Sequence, residues 1–225
     1  MCIRDRSKKG HFKQLPKNLG VNEVVSWEEA INIKPDVAII SNPSSLHIDS
    51  ALKVSSHVKG IFIEKPLSNN LADCNQLVDS LNAEKITSFI GHNLMFHPIV
   101  KKIIEFINGN DIGEIINIQC QVGQWLPDWH PYEDYTQAYY ARKDLGGGVA
   151  LSLIHEIHLA LELAGLPMHV IGEITEHKQL NLDVDVCSDL MIKHKSGAVS
   201  QIHLDFLQRP SHRNGTITFE KAWLS

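Results

Sequence analysis

Cysteine is scarce and scattered in this chain of 225 residues: Cys2, Cys74, Cys120 and Cys187 make no CxxC pair and no disulfide framework. That usage predicts a reducing, cytoplasmic compartment. No apolar run approaches the roughly 18 residues that a membrane-spanning helix needs, so no membrane contact is expected. The first residues also lack the apolar stretch of a secretory signal. Basic excess is absent: 21 Lys and Arg against 26 Asp and Glu leave a net charge of −5, which argues against nucleic acid as a partner. There is no internal repeat and no low-complexity segment. The 13 histidines show no clear metal-ligand spacing, and no metal is predicted. With 43% hydrophobic and 21% charged residues, the chain has material for one large globular domain or two modest ones.

Periodicity divides the chain. Met1 to Lys9 are polar, without periodicity, and read as non-native or disordered. Ser26 and Glu29 form a capping box that opens a short helix. Val37-Ala38-Ile39-Ile40, Gly60-Ile61-Phe62-Ile63 and Thr87 to Ile90 are short apolar runs of parallel-strand type. Helices expected from about Leu46 to Val58 and Leu71 to Asn82 separate them, which is the grammar of a parallel sheet with helical crossovers. After Asn93 the pattern changes. An amphipathic helix from Pro98 to Asn108 is followed by a strand, Ile115 to Gln124. Trp125 to Lys143 reads as a long functional loop. A helix is predicted over Val149–Ala164, then alternating strands at His169–His177, Val186–His194 and Ala198–Phe206, with Thr216–Phe219 beginning another. The predicted class is α/β: a partial Rossmann parallel sheet over residues 1–93, then an α+β domain over 94–225 with a mostly antiparallel open sheet.

Glu64-Lys65-Pro66 stands at the end of a strand, where open parallel sheets bind ligands. Proline stiffens the loop that carries Lys65, and a lysine beside other charges can exchange protons near neutral pH. A surface ion pair is the plain alternative. Asn42-Pro43 with His47 follows the preceding strand and can lie over a nucleotide, or be an ordinary turn and helix start. Ser152 and His155 are three apart and share a helical face, which would let the serine hold the imidazole's tautomer. Gly146-Gly147-Gly148 allows close backbone approach, to a ligand or to a packed strand. The loop residues Trp129, Tyr135 and Arg142, with their aromatic neighbours, suit a sugar-like substrate and equally a subunit interface.

Together these stretches resemble the Gfo/Idh/MocA family of nicotinamide-dependent oxidoreductases. The resemblance runs through Pro35–Pro43 with His47, Ile63-Glu64-Lys65-Pro66-Leu67, Gly91-His92-Asn93-Leu94-Met95-Phe96-His97-Pro98, and Gly146–Gly148 to His155. Leu126–Pro131 and Ala141–Gly148 are similar to the branch associated with sialic-acid-like and other surface-sugar biosynthesis. The resemblance implies NAD or NADP held by Asn42, Pro43, His47, Glu64, Lys65, Pro66 and Asn93. It implies Lys65 and His155 as catalytic residues, with Asn93, Trp129, Tyr135, Arg142 and Ser152 also facing the substrate. Hydride would pass between the nicotinamide and a hydroxyl or carbonyl carbon of a sugar, nucleotide sugar or polyol. A homodimer or tetramer through the open sheet is also implied.

The chain departs from the family pattern in several places. No Gly-x-Gly-x-x-Gly turn precedes the first strand. The chain therefore reads as a piece of a longer enzyme, without its first βαβ unit and its tail, that should bind nucleotide poorly. Ser152 stands where many relatives carry aspartate, His158 where an acid is frequent, and Met95 where arginine is frequent. An NAD-dependent glycosidase of the same fold and a non-catalytic nucleotide-binding regulator are the alternatives.

Overall fold

A computed structural model describes residues 26–109 and 111–225. The reading of Met1 to Lys9 and the position of Cys2 lie outside the described residues. The chain divides into two compact units, one running to Gly91 and including Asp144–Gly146, the other comprising His92–Lys143 and Gly147–Ser225.

In the first unit, Ser26 caps helix α1 (Trp27–Asn32) by accepting the Glu29 amide at 3.1 Å, the predicted half of a capping box. Strands β1 (Val37–Ile40), β2 (Gly60–Ile63) and β3 (Thr87–Ile90) pair in parallel in that order. Helix α2 (His47–Ser55) connects the first pair and α3 (Cys74–Ala83) the second. Ile40, Ala51, Val54, Ile61, Ile63 and Leu77 form the core beneath them. Helix α3 begins later than its apolar spacing suggests. Ser68 accepts the Asn70 amide and Asn70 accepts the Ala72 amide, local bonds that compete with a helical turn, and Asp73 then sits at φ 57°. Leu71 is left 90% exposed in that turn.

The second unit is a sheet of six strands in the order β5-β6-β7-β4-β8-β9. Its strands are β4 (Ile115–Gly123), β5 (Pro167–Thr175), β6 (Cys187–His194), β7 (Val199–Asp205), β8 (His212–Phe219) and β9 (Trp223–Leu224). It is mostly antiparallel, with one parallel pairing of β4 with β7. Helix α4 (Pro98–Gly109) precedes the sheet. Alternation sends Ile192, Ile202 and Leu204 into the core with Ile118, Leu126 and Phe206. His194, fully buried, has both ring nitrogens satisfied, by the Gly165 carbonyl at 2.7 Å and the Ser200 hydroxyl at 2.7 Å.

The helix expected over Val149–Ala164 is two helices, α5 (Val149–Ser152) and α6 (His155–Ala164), with a bend of 53° between the segments Lys143–Ser152 and His155–Ala164. The amide ladder stops at Leu153, which bonds Val149, and restarts at His158, which bonds Ile154. Neither glycine nor proline marks the break, and the apolar spacing runs straight through it. The turn lets Val149 and Leu153 on one side, and Ala160 and Ala164 on the other, reach the same core. Among the described residues no single helix is long and apolar enough to cross a membrane.

Phe206 is fully buried and meets Trp129 edge-on at 5.3 Å. Phe206→Ala is expected to destabilise the second unit by about 3–5 kcal/mol, read as a lower urea midpoint at unchanged slope.

Candidate functional site

Three parallel strands of equal length bring their carboxyl ends level in the first unit. The Glu64 amide donates to the Ile40 carbonyl at 2.8 Å, and the Gly91 amide donates to that of Ile63 at 2.7 Å, so both loops leave the sheet from fixed points. Asn42, Pro43 and His47 follow β1, and Glu64, Lys65 and Pro66 follow β2. The Glu64 carboxylate turns back to accept the Lys65 amide at 3.2 Å. Lys65-Pro66 is a cis peptide bond. A Cβ at Gly91 would sit 3.1 Å from the Glu64 carboxylate and 3.2 Å from the Phe62 ring, so the glycine leaves room for both.

His47 binds these two loops together. It is 1% exposed, with Nδ1 2.7 Å from the Pro66 carbonyl and Nε2 2.8 Å from the Asn42 carbonyl. Its ring is thus committed to backbone at both nitrogens. Asn42 donates from Nδ2 to the Ser50 hydroxyl at 2.8 Å, which turns its amide oxygen inward. That oxygen is buried and has no hydrogen-bond partner among the described residues. It is ready to accept from a hydroxyl. Gly146, at φ 80°, belongs to this unit, where a Cβ would press within 2.9 Å of Asn69 and of the Ser45 amide.

The second unit carries Asn93, Trp129, Tyr135, Arg142, Ser152 and His155. Asn93 is exposed and opens a 3-10 turn, Asn93–Phe96. The predicted long loop is largely a series of 3-10 turns that bury Leu126, Tyr140 and Ala141. Trp129 is wedged between Tyr140 at 5.2 Å and Phe206, so much of its ring serves the core. Tyr135 likewise packs against the core. Tyr140 donates its hydroxyl to Glu133 at 3.0 Å. The Arg142 carbonyl accepts the Gly147 amide at 2.9 Å. At Gly147 a Cβ would come within 2.6 Å of the Tyr139 carbonyl, and a Cβ at Gly148 would collide with Asp185. Asp185 in turn accepts the Ala150 amide at 2.9 Å at the start of α5. The glycines thus serve close packing of turn against helix.

Because the chain breaks between Ser152 and His155, the shared helical face expected for them does not form. His92 lies edge-on to His155, with ring centroids 6.2 Å apart, and stacks face to face on His158 at 3.6 Å and 6°. The spacing of His155 and His158 on α6 was visible in the sequence; His92, distant in sequence, was not assigned a role. Also unassigned was Glu156, which is 3% exposed and takes a 2.7 Å ion pair from Arg213 on β8. Burial, then the charge of Glu156, pushes the neighbouring Cys120 thiol up to about 12, which makes it unreactive.

Burial holds His158 below the ordinary histidine value, while Glu162, 3.4 Å away, pulls the other way. The folded state therefore resists protonation here. The stability His158 contributes is present above its unfolded value and is lost as pH falls through it. In a proton NMR titration of the imidazoles, His158 is expected to titrate below 6.5, and Glu162→Gln to lower it further.

Comparison with known proteins follows the same division. Residues 1–92 match the model described as oxidoreductase family, NAD-binding Rossmann fold, and residues 100–225 match the GFO/IDH/MocA C-terminal domain. The chain is 26% identical over 141 residues to 2,7-anhydro-N-acetylneuraminate hydratase of Escherichia coli, covering 63% of this chain and 35% of that protein. It is 23% identical over 198 residues to myo-inositol 2-dehydrogenase of Thermotoga maritima, covering 85% and 56% respectively. A levoglucosan dehydrogenase structure, in complex with NADH and levoglucosan, superimposes with a TM-score of 0.80 at 22% identity, over 91% of this chain and 57% of that one. This chain thus spans little more than half the length of these proteins, or less. With both of its units matched to the family's paired models, the chain belongs to the Gfo/Idh/MocA oxidoreductases.

Proposed function

We propose that the protein is an NAD- or NADP-dependent oxidoreductase that acts on a CH–OH group of a sugar, nucleotide sugar or polyol. The observation that carries the reading is Glu64-Lys65-Pro66, set at the carboxyl end of a parallel strand and braced through His47 to the loop after β1. The inward, unpartnered Asn42 oxygen fits a hydroxyl-bearing nucleotide. Asn42, Pro43, Glu64, Lys65, Pro66 and Asn93 would hold it. His47 acts as the brace that aims them.

When bound, the nicotinamide supplies the acceptor or donor of hydride. The chain's own residues manage the proton. A hydroxyl that loses hydride also loses a proton, and Lys65 and His155 are the groups we assign to take and pass it. Asn93, Tyr135, Arg142 and Ser152 position the substrate, and Trp129 offers it what ring edge the core leaves free. We place the enzyme in the cytoplasm as a homodimer or tetramer formed through the open sheet face, where Ile171 and Met191 are exposed. The similarity to a protein named as a hydratase favours one second reading, in which oxidation is transient and no net reduced nicotinamide appears.

The test is to incubate the purified protein with NAD or NADP and a panel of cyclic polyols, anhydro-sugars and nucleotide sugars. Reduced nicotinamide is followed by absorbance and products by mass spectrometry. Lys65→Ala and His155→Ala are each expected to lower kcat/KM by about 10²–10⁴-fold, in line with loss of a proton-transfer group. Product formed without reduced nicotinamide selects the second reading. No turnover of any member, or variants that match the wild type, overturns both.

A further inference from the structure

We propose that Cys187, Asp189 and His203 form a binding site for a thiophilic divalent cation of the zinc class. The site lies on the open face of the second unit's sheet, the face assigned above to subunit contact, and does not depend on the redox reading. Strands β6 and β7 pair so that Asp189 faces His203 and Cys187 faces Asp205, which places four side chains in a square on one face. Both strands are interior to the sheet, flanked by β5 and β4, so the square is held on a stiff support.

The thiol sulfur, a carboxylate oxygen and an imidazole nitrogen of the first three residues lie within 4.8 Å of one another. A tetrahedral zinc with bonds of about 2.0–2.3 Å needs donors roughly 3.3–3.8 Å apart. Cys187 Sγ already stands 3.7 Å from Asp189 Oδ2. His203 Nδ1 and Asp189 Oδ1 are 2.7 Å apart, the distance for a shared proton, so a cation would replace that proton with an opening of about 1 Å.

Asp205 backs the imidazole of His203. It is 6% exposed and lies 3.2 Å from His203 Nε2. Its other oxygen accepts the Leu207 amide at 2.7 Å and the Gln208 amide at 2.6 Å, which locks the carboxylate. A buried carboxylate that receives Nε2–H fixes the tautomer whose Nδ1 lone pair points at Asp189 and Cys187. That carboxylate–histidine arrangement is the usual support behind a metal-bound imidazole. The sulfur excludes magnesium and calcium, which take oxygen donors, and the mixed S, N, O set with an open fourth position suits zinc. On binding, the Cys187 thiol gives its proton to solvent and the thiolate makes the bond.

Cobalt reports such a site because zinc is spectroscopically silent. The purified chain, kept reduced, is titrated with Co²⁺ and then Zn²⁺. Expected are one equivalent of cobalt, a near-ultraviolet thiolate-to-cobalt charge-transfer band, and loss of that band when zinc displaces it. Cys187→Ser should abolish the band, and Asp205→Asn should weaken affinity about 10–100-fold through the misaligned imidazole. Cys74→Ser and Cys120→Ser should leave the band in place. No stoichiometric cobalt binding by the wild type overturns the proposal, whatever the variants do, and leaves His203 as an ion pair between two carboxylates. A band that survives Cys187→Ser, or is lost in Cys120→Ser, overturns it as well.

Discussion

His47 is the interaction on which the first unit's ligand-facing end depends. Two loops leave the sheet after β1 and β2, and neither has a regular ladder of its own to hold it. One buried imidazole reaches a backbone carbonyl in each. Both contacts are to main chain, so the ring ties the two loops together at their backbones. With the Pro66 carbonyl held by His47 and the Glu64 amide held by the Ile40 carbonyl, the backbone is fixed on either side of Lys65. The position of the lysine is then set by covalent neighbours and strand geometry, not by the lysine's own long and mobile stem.

The second unit solves a related problem without a long continuous helix. Its chain must turn from the aromatic loop into a helix, then lay that helix on the sheet. Gly147 and Gly148 let the loop backbone pass where any side chain would collide, and Asp185 receives the first free amides of α5. The 53° bend then redirects the chain, and α6 packs against β4 and β7. His155 and His158 ride on the redirected segment, where they meet His92. For His158 burial disfavours the protonated form.

What could be read from the chain alone follows from the range of each signal. The three parallel strands, α4 and β4 were legible because apolar runs bounded by polar turns are local features. The Glu-Lys-Pro loop was legible as a motif at a strand end. The brace behind it was not, since His47 and Pro66 are nineteen residues apart and a single histidine carries no pattern. The break between Ser152 and His155 was invisible because apolar spacing continues across it and neither Gly nor Pro marks it. Trp129 looked like a ligand-facing aromatic, and the partner that claims much of its ring, Phe206, is supplied by a distant strand end. The parallel pairing of β4 with β7 was similarly beyond reach, because strand order is decided by long-range burial.

The six-stranded sheet explains why two histidine-bearing places can coexist in one small unit without mixing. Side chains alternate along each strand, so Ile202 and Leu204 turn inward to the core while Gln201 and His203 turn outward. The face that packs on α6 is therefore the one without His203. Cys187, Asp189 and His203 share the other face because Asp189 pairs with His203 and Cys187 with Asp205. A slip of one residue in the pairing of β6 with β7 would send Asp189 inward and bury a carboxylate in an apolar core, at a cost of several kcal/mol. The same apolar pattern that stabilises the sheet thus enforces the register that assembles the polar square. Any cation bound there would draw on an arrangement already fixed by the core on the opposite face.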